Sequence, residues 1–274
     1  MAMAKERILI TVKTYPTLST KYGETVCTAG VRENGSWVRL YPVPFRRLDQ
    51  EEQYKKFDWV ECNLVRNNKD PRLETFRPVD ESELCPVGHM GTSDRWRERR
   101  KILLKTACVY TSMSQLISGA KANALSLAVF KPTRILDFSW EEEAREWDSQ
   151  KLRAMREQYN QLDMFSDNAW RETFDVIPKL PYSFSYKFQD EDGRLSDLQI
   201  LDWEIGQLFW NCLSSSSSEQ EALAKVKCKY FDEFPKKDIH LFLGTTQQFH
   251  FIAPNPWVII GVFPIPHEVQ LELF

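Results

Sequence analysis

The sequence predicts a β-rich α+β fold of two small barrel-sized halves joined by an amphipathic helix. Three observations carry this expectation. Apolar and polar residues alternate on both sides of Asn34-Gly35, a pair that marks a two-stranded hairpin because both turn positions tolerate positive φ. Acidic composition over 137–175 coincides with apolar residues spaced near 3.6 per turn, the period of a half-buried helix. Alternating runs then resume from Pro181 onward.

In the first half, strands are expected at 8–15, 24–31, 36–45 and 57–65, a helix over the basic segment 93–105, a short helix at 112–122 and a strand at 126–130. Ser139 and Glu142 have capping-box spacing, and Trp140, Ala144, Trp147, Met155, Tyr159 and Leu162 fall near one helical face, so this stretch reads as the connecting helix. The second half is expected to hold strands at 181–188 and 198–203, a turn at 190–193, helices at 204–213 and 219–230 across the serine run 214–218, and strands at 238–244 and 257–263. The chain thus divides into a β-rich domain at 1–138, an acidic helical connector at 139–175, a second β-rich domain at 176–266 and a tail at 267–274.

A chain of 274 residues can bury cores that need no covalent staples. No apolar run approaches the roughly 18 residues of a membrane span, and the opening MAMAKERILI starts a strand-like segment instead of a signal peptide. A cytoplasmic protein without membrane attachment is expected. The six cysteines and four histidines are scattered, with no paired spacing for zinc, so neither metal nor cofactor is expected. There is no Gly-Lys pair, no GxGxxG, no GxSxG and no lysine with an acid two positions earlier. P-loop, dinucleotide, hydrolase-elbow and common metal-nuclease patterns are thereby excluded in their usual form, and no catalytic residue is assigned.

The net charge of −3 conceals segregation. Residues 1–48 carry eight cations against three glutamates, a net of +5, and 93–105 carry six against two, a net of +4, while 137–175 carry five against eleven, a net of −6. Near the start, Lys13, Tyr15, Arg39, Tyr41, Arg46 and Arg47 interleave rings with positive charge, the mixture that stacks bases and neutralises phosphates on single strands. Arg39 and Tyr41 share a face if their segment is a strand. Arg95, Arg97, Arg99, Arg100 and Lys101 form a second candidate, a phosphate-contacting helix; a solvated charged face is the plain alternative. Gly244, Thr245 and Thr246 after an apolar strand, followed by Gln247, Gln248 and His250, have the makings of a polar ligand loop. Asp202 and Glu204 flank Trp203 and could hold a divalent ion, but acids at a helix start account for them better.

Two resemblances add to this. The segments KTYPTLSTKYGETVCTAG, WVRLYPVPFR, IPKLPYSFSYKF, LDWEIGQLFWNCL and FLGTTQQF with WVIIGVF resemble an uncharacterised prokaryotic family described as carrying a dual OB-containing domain. The resemblance implies two OB-like halves, a fold that hosts oligonucleotide binding among other activities. QLELF (Gln270, Leu271, Glu272, Leu273, Phe274) and the internal QLDMF (Gln161, Leu162, Asp163, Met164, Phe165) resemble the pentapeptide by which bacterial polymerases and repair factors engage the β sliding clamp. Leu and Phe anchors would fill a groove while the Gln amide bonds at its rim. One such match arises by chance in about one chain of this size in two hundred. The expectation is a nucleic-acid-binding accessory protein, for DNA or RNA, single strands included, in bacterial DNA repair or antiviral defence against mobile elements, docked on the clamp. Two rivals are an enzyme of unrecognised class using Asp202, Glu204, Thr245, Thr246 and His250, and a structural subunit of a larger complex.

Overall fold

The computed structural model describes residues 5–19, 23–43, 45, 48, 53–80, 84–163 and 176–267, with backbone alone for 158–163. The first half is one sheet: β1 (Glu6–Lys13), β2 (Thr17–Ser19), β3 (Gly23–Arg32), β4 (Trp37–Val43), β5 (Asp58–Cys62), β6 (Leu64–Arg66), β7 (Thr75–Pro78) and β8 (Cys85–His89). Its order is β6-β7-β4-β3-β1-β5-β8, with β2 on β3. The expected hairpin is present. β3 and β4 pair antiparallel, Val31 opposite Trp37, across a turn in which Gly35 has φ 81°, a conformation that glycine adopts without steric cost.

Alternation along these strands builds two cores. Ile8 and Ile10 join Val26, Val38, Leu40 and Val43 inside the curl of the sheet. Leu9 and Val12, with Ala29, Val31 and Trp59, face outward onto Phe242, Ile260 and Phe263 of the second half. A register shift between Ile10 and Val12 accommodates the bend, as a β-bulge does.

After α1 (Ser93–Arg100) and a π-helical turn (Lys101–Thr106), the second half runs β9 (Val109–Tyr110), α2 (Met113–Lys121), β10 (Leu127–Phe130), β11 (Arg134–Glu142), α3 (Ser149–Asp163), β12 (Tyr182–Gln189), β13 (Leu195–Ile200), α4 (Trp203–Ser214), α5 (Glu219–Lys227), β14 (Asp238–Thr245) and β15 (Trp257–Ile265). The sheet order is β11-β12-β13-β15-β14-β10-β9. Tyr182, Phe184, Tyr186 and Phe188, at every second position of β12, pack with residues of α2, α4 and α5 in the largest core. Ser112, Asp202 and Ser218 cap α2, α4 and α5, each side chain accepting an N–H of the first turn. Such a cap contributes about 1 kcal/mol. The two sheets therefore face each other across one apolar layer, with helices on the far side of the second.

The structure differs from expectation around residue 140. Ser139 and Glu142 lie in β11, opposite Ser185 and Tyr182, because Ile135 and Phe138 pack in the core beside β12 and this pairing overrides the capping-box spacing. The helix starts later, with Asp148 Oδ1 accepting from Lys151 N at 2.8 Å. The boundary expected at 138/139 falls within β11, and β9 and β10 already belong to the second sheet. No described helix is long and apolar enough to cross a membrane.

Candidate functional site

The end of β1 crosses from one sheet to the other. Thr14 forms a β-bridge with Asp202, and Tyr15 N donates to Leu201 O at 2.9 Å. Beside this crossing a cleft of about 610 Å³ opens, lined by Tyr15, Tyr41 and Arg72 from the first half and by Trp147, Tyr182, Thr245 and Thr246 from the second, with Lys179, Gln247 and Gln248 at the same cleft.

Polar tethers fix the aromatic walls. Tyr15 OH donates to Pro178 O at 2.9 Å and accepts from Trp210 Nε1 at 2.9 Å. Its ring lies on Gly206, where an added Cβ would come within 2.4 Å; only glycine permits that approach of ring to helix. Trp147 Nε1 donates to Ile177 O at 2.7 Å, and Tyr182 OH to Glu219 Oε2 at 2.6 Å. Tyr41 differs, since its hydroxyl has no hydrogen-bond partner among the described residues and remains available to a ligand.

Behind the cleft lies a buried polar network. Arg39, 1% exposed, donates from Nη1 to Ser126 Oγ at 2.7 Å and Thr75 Oγ1 at 3.2 Å, and from Nη2 to Ser126 O at 2.9 Å. Glu74 accepts from Ser126 N and Oγ, both at 2.8 Å. Arg72 pairs with Asp70 and donates to Thr245 O. Burial, then the charge of Arg72, lowers the Arg39 guanidinium to about 10. Burial tends to raise the Asp70 carboxyl, but the hydrogen bonds and charge of Arg72 hold it below its ordinary range. Two guanidinium and two carboxylate groups thus balance where the halves meet, as buried charge requires. His250, fully buried, bonds Thr245 Oγ1 at 2.9 Å and Asn123 Oδ1 at 3.1 Å, and burial with Arg72 and Arg39 lowers its pKa.

These positions correct several sequence expectations. Arg39 does not face solvent, because the second half covers its side of β4 and supplies acceptors at Ser126 and Thr245. Of the basic helix, Arg95, Arg97 and Lys101 are exposed, whereas Arg99 and Arg100 are buried and donate to the carbonyls of Met90 and Pro266. Arg99 also stacks on Phe57, 3.7 Å from the ring centroid. Its first turn is left-handed at Asp94, Arg95 and Trp96, which seats Trp96 beside Phe263 at 5.6 Å. Gly244 packs against Ile260 and Leu127, so no ligand approaches there, and His250 sits behind the cleft, not in it. Asp202 is a helix cap, accepting from Glu204 N at 3.1 Å, as the acids-at-helix-start account expected. Lys13 lines a separate cleft. Arg46 and Arg47, Met164 and Phe165, and all of 270–274 lie outside the described residues; Gln161, Leu162 and Asp163 end α3, their side chains likewise outside.

Sequence reasoning gave Arg72 and Lys179 no role, since neither carries a local motif, and placed Trp147 on the face of the connecting helix, whereas it precedes α3 and lines the cleft. Gln247 and Gln248 were in view as part of the polar loop. Among the described residues, no group of three His, Cys, Asp or Glu side chains could hold a metal ion.

Comparison with known families follows the same seam. Residues 4–105 match Domain of unknown function (DUF8758), and residues 109–274, more than half the chain, match Domain of unknown function (DUF8757). The chain belongs to the DUF8757 family. No curated protein and no solved structure matches it. The DUF8757 part begins at the first residue of β9, where the second sheet begins, so the two matched domains correspond to the two sheets.

Proposed function

We propose that the protein is a nucleic-acid-binding accessory factor of bacterial DNA repair or defence against mobile elements, and that the inter-sheet cleft receives an unstacked base of DNA or RNA. The observation supporting this most is the convergence of Tyr15, Tyr41 and Trp147 with the amides of Gln247 and Gln248 and the cation of Lys179 on one cleft. Aromatic faces accept any base, and amides and a cation supply edge and phosphate partners. On the loop that follows, Phe249, Phe251 and Ile252 are 45%, 48% and 73% exposed, an apolar cluster of the kind that marks a contact surface. The curled first sheet, read as OB-like, suits such a role.

The same proposal includes docking on the sliding clamp through QLELF at 270–274, on the strength of its sequence pattern. Fluorescence anisotropy with a labelled single-stranded oligonucleotide tests the first part. Tyr41→Ala and Trp147→Ala, both at residues lining the cleft, should each weaken binding about tenfold, the loss of one stacked base; wild-type affinity in both would end the cleft reading. For the second part, replacing Leu273 and Phe274 with alanine should remove binding to purified clamp in calorimetry. An undiminished heat would exclude that contact.

A further inference from the structure

A second cleft of about 460 Å³ shares Asp202 with the first and gathers Lys13, Lys55, Lys56 and Lys229 against Asp202 and Glu204. Lys56 answers both acids, its Nζ lying 2.7 Å from Glu204 and 3.8 Å from Asp202. Lys229 pairs with Glu233, outside the cleft, at 2.6 Å.

Lys13 has no such partner. Its half-buried Nζ donates to Tyr54 O at 3.2 Å and sits 4.1 Å from the Phe45 ring centroid and 5.2 Å from that of Trp203. Among the described residues, no carboxylate lies within ion-pair distance of it. Aromatic faces offset part of the cost of desolvating an ammonium, but an anion offsets more. Burial accordingly lowers Lys13 to about 8 despite the pull of Glu204, Asp58 and Asp202, with Lys56 adding to the lowering. Exposed Lys55 stands at the same cleft without an ion pair among the described residues.

We propose that this cleft binds a phosphate group between Lys13 and Lys55. Lys56 answers Asp202 and Glu204, and Lys229 answers Glu233, so Lys13 and Lys55 are the lysines of the lining without an ion pair among the described residues, and a phosphate group offers oxygens to both ammonium groups at once. Asn211, also in the lining, supplies an amide donor. The phosphate can belong to a nucleotide or to a nucleic-acid backbone, since the groups contacted are the same.

Isothermal titration with inorganic phosphate, AMP and a single-stranded oligonucleotide tests this. Inorganic phosphate should bind wild-type protein, and Lys13→Met should weaken it about tenfold, the loss of one charge-assisted contact. Lys55→Met, at an exposed position, should weaken it severalfold without disturbing the fold, and Lys13→Arg should retain most of the affinity. Binding should also take up protons near pH 8, because an anion beside Lys13 favours its charged form; titrations in buffers of different ionisation enthalpy read that uptake. AMP binding tighter than the oligonucleotide points to a nucleotide source, and the reverse order to a backbone. Absence of phosphate heat, or unchanged affinity in both methionine variants, would overturn the site. Tyr41→Ala should leave phosphate binding intact, so loss of oligonucleotide affinity there and loss of phosphate affinity here fail independently; phosphate binding abolished by Tyr41→Ala would place the anion in the first cleft and overturn this one.

Discussion

Replacing Arg39 with methionine separates a structural arginine from a nucleic-acid contact. Methionine keeps most of the aliphatic stem and removes four donor contacts, to Ser126 Oγ, Ser126 O, Thr75 Oγ1 and Thr245 O, at 2.7, 2.9, 3.2 and 3.5 Å. Hydrogen bonds from a charged donor contribute roughly 1.5–3 kcal/mol each, and relief from burying the guanidinium returns part of that sum. What remains is the penalty of breaking a buried ionic network from one side, about 3–5 kcal/mol, because Asp70 and Glu74 stay while one of their two cations leaves. Against a total stability of about 5–15 kcal/mol, such a loss is large. Urea unfolding followed by tryptophan fluorescence should show a clearly lower midpoint with little change in slope. Oligonucleotide affinity, measured where the variant is still folded, should keep the wild-type salt dependence, since no phosphate contact is lost. A stability change below about 1 kcal/mol together with a shallower salt slope would refute the reasoning and return Arg39 to the surface.

Gly206→Ala should push the Tyr15 ring off α4, because the new Cβ would meet ring carbons at 2.4 and 2.5 Å while two hydrogen bonds hold the hydroxyl in place. Overpacking of about 1–3 kcal/mol exceeds the gain of up to about 1 kcal/mol from alanine in a helix, so the melting temperature and oligonucleotide affinity should both fall; a stabilised variant with unchanged affinity would contradict the close contact. Lys13 makes stability depend on alkaline pH. Between about 8, its folded value, and 10.5 in the unfolded chain, the unfolded state holds more protons, so this group makes stability rise with pH across that window. The groups acting on it are Glu204, Asp58, Asp202 and Lys56. Lys13→Met should flatten that part of a urea-midpoint profile, and an unaltered profile would show that another group carries it.

Local signals in the sequence were sufficient for much of the fold. The Asn34-Gly35 hairpin, α2, α4, α5 and the alternating β12 all formed near where the sequence placed them, and Ser112, Asp202 and Ser218 cap the three helices. They depend on neighbours within a few residues. β11 was obscured because a helical period across residues 140–162 coincides with a capping-box pattern, and only pairing with β12 decides between strand and helix. β2 and β9 span three and two residues, too few to show a period. The cleft was less legible still. Arg72 reaches Thr245 across 173 positions and Tyr15 reaches Pro178 across 163, and no pattern in either segment reveals the other.

The pairing of Arg39 with Tyr41 shows where local inference stops and tertiary structure begins. Two apart on β4, they do share a side of the strand, opposite to the one that Val38 and Leu40 present to the first core. The second sheet meets that side. At Trp37 and Arg39 the sheets are in contact, and the arginine becomes a buried cross-link to Ser126. At Tyr41 they have parted, and the ring lines open space beside Thr245 and Thr246. One face of one strand therefore passes, within a few residues, from holding the halves together to lining the gap between them. A ligand in that gap touches both sheets, and Arg39, directly behind it, fixes the spacing of its walls. Substitutions at Arg39 should accordingly alter binding through the width of the cleft and not through lost charge, which is why the salt slope, and not affinity alone, distinguishes the two roles.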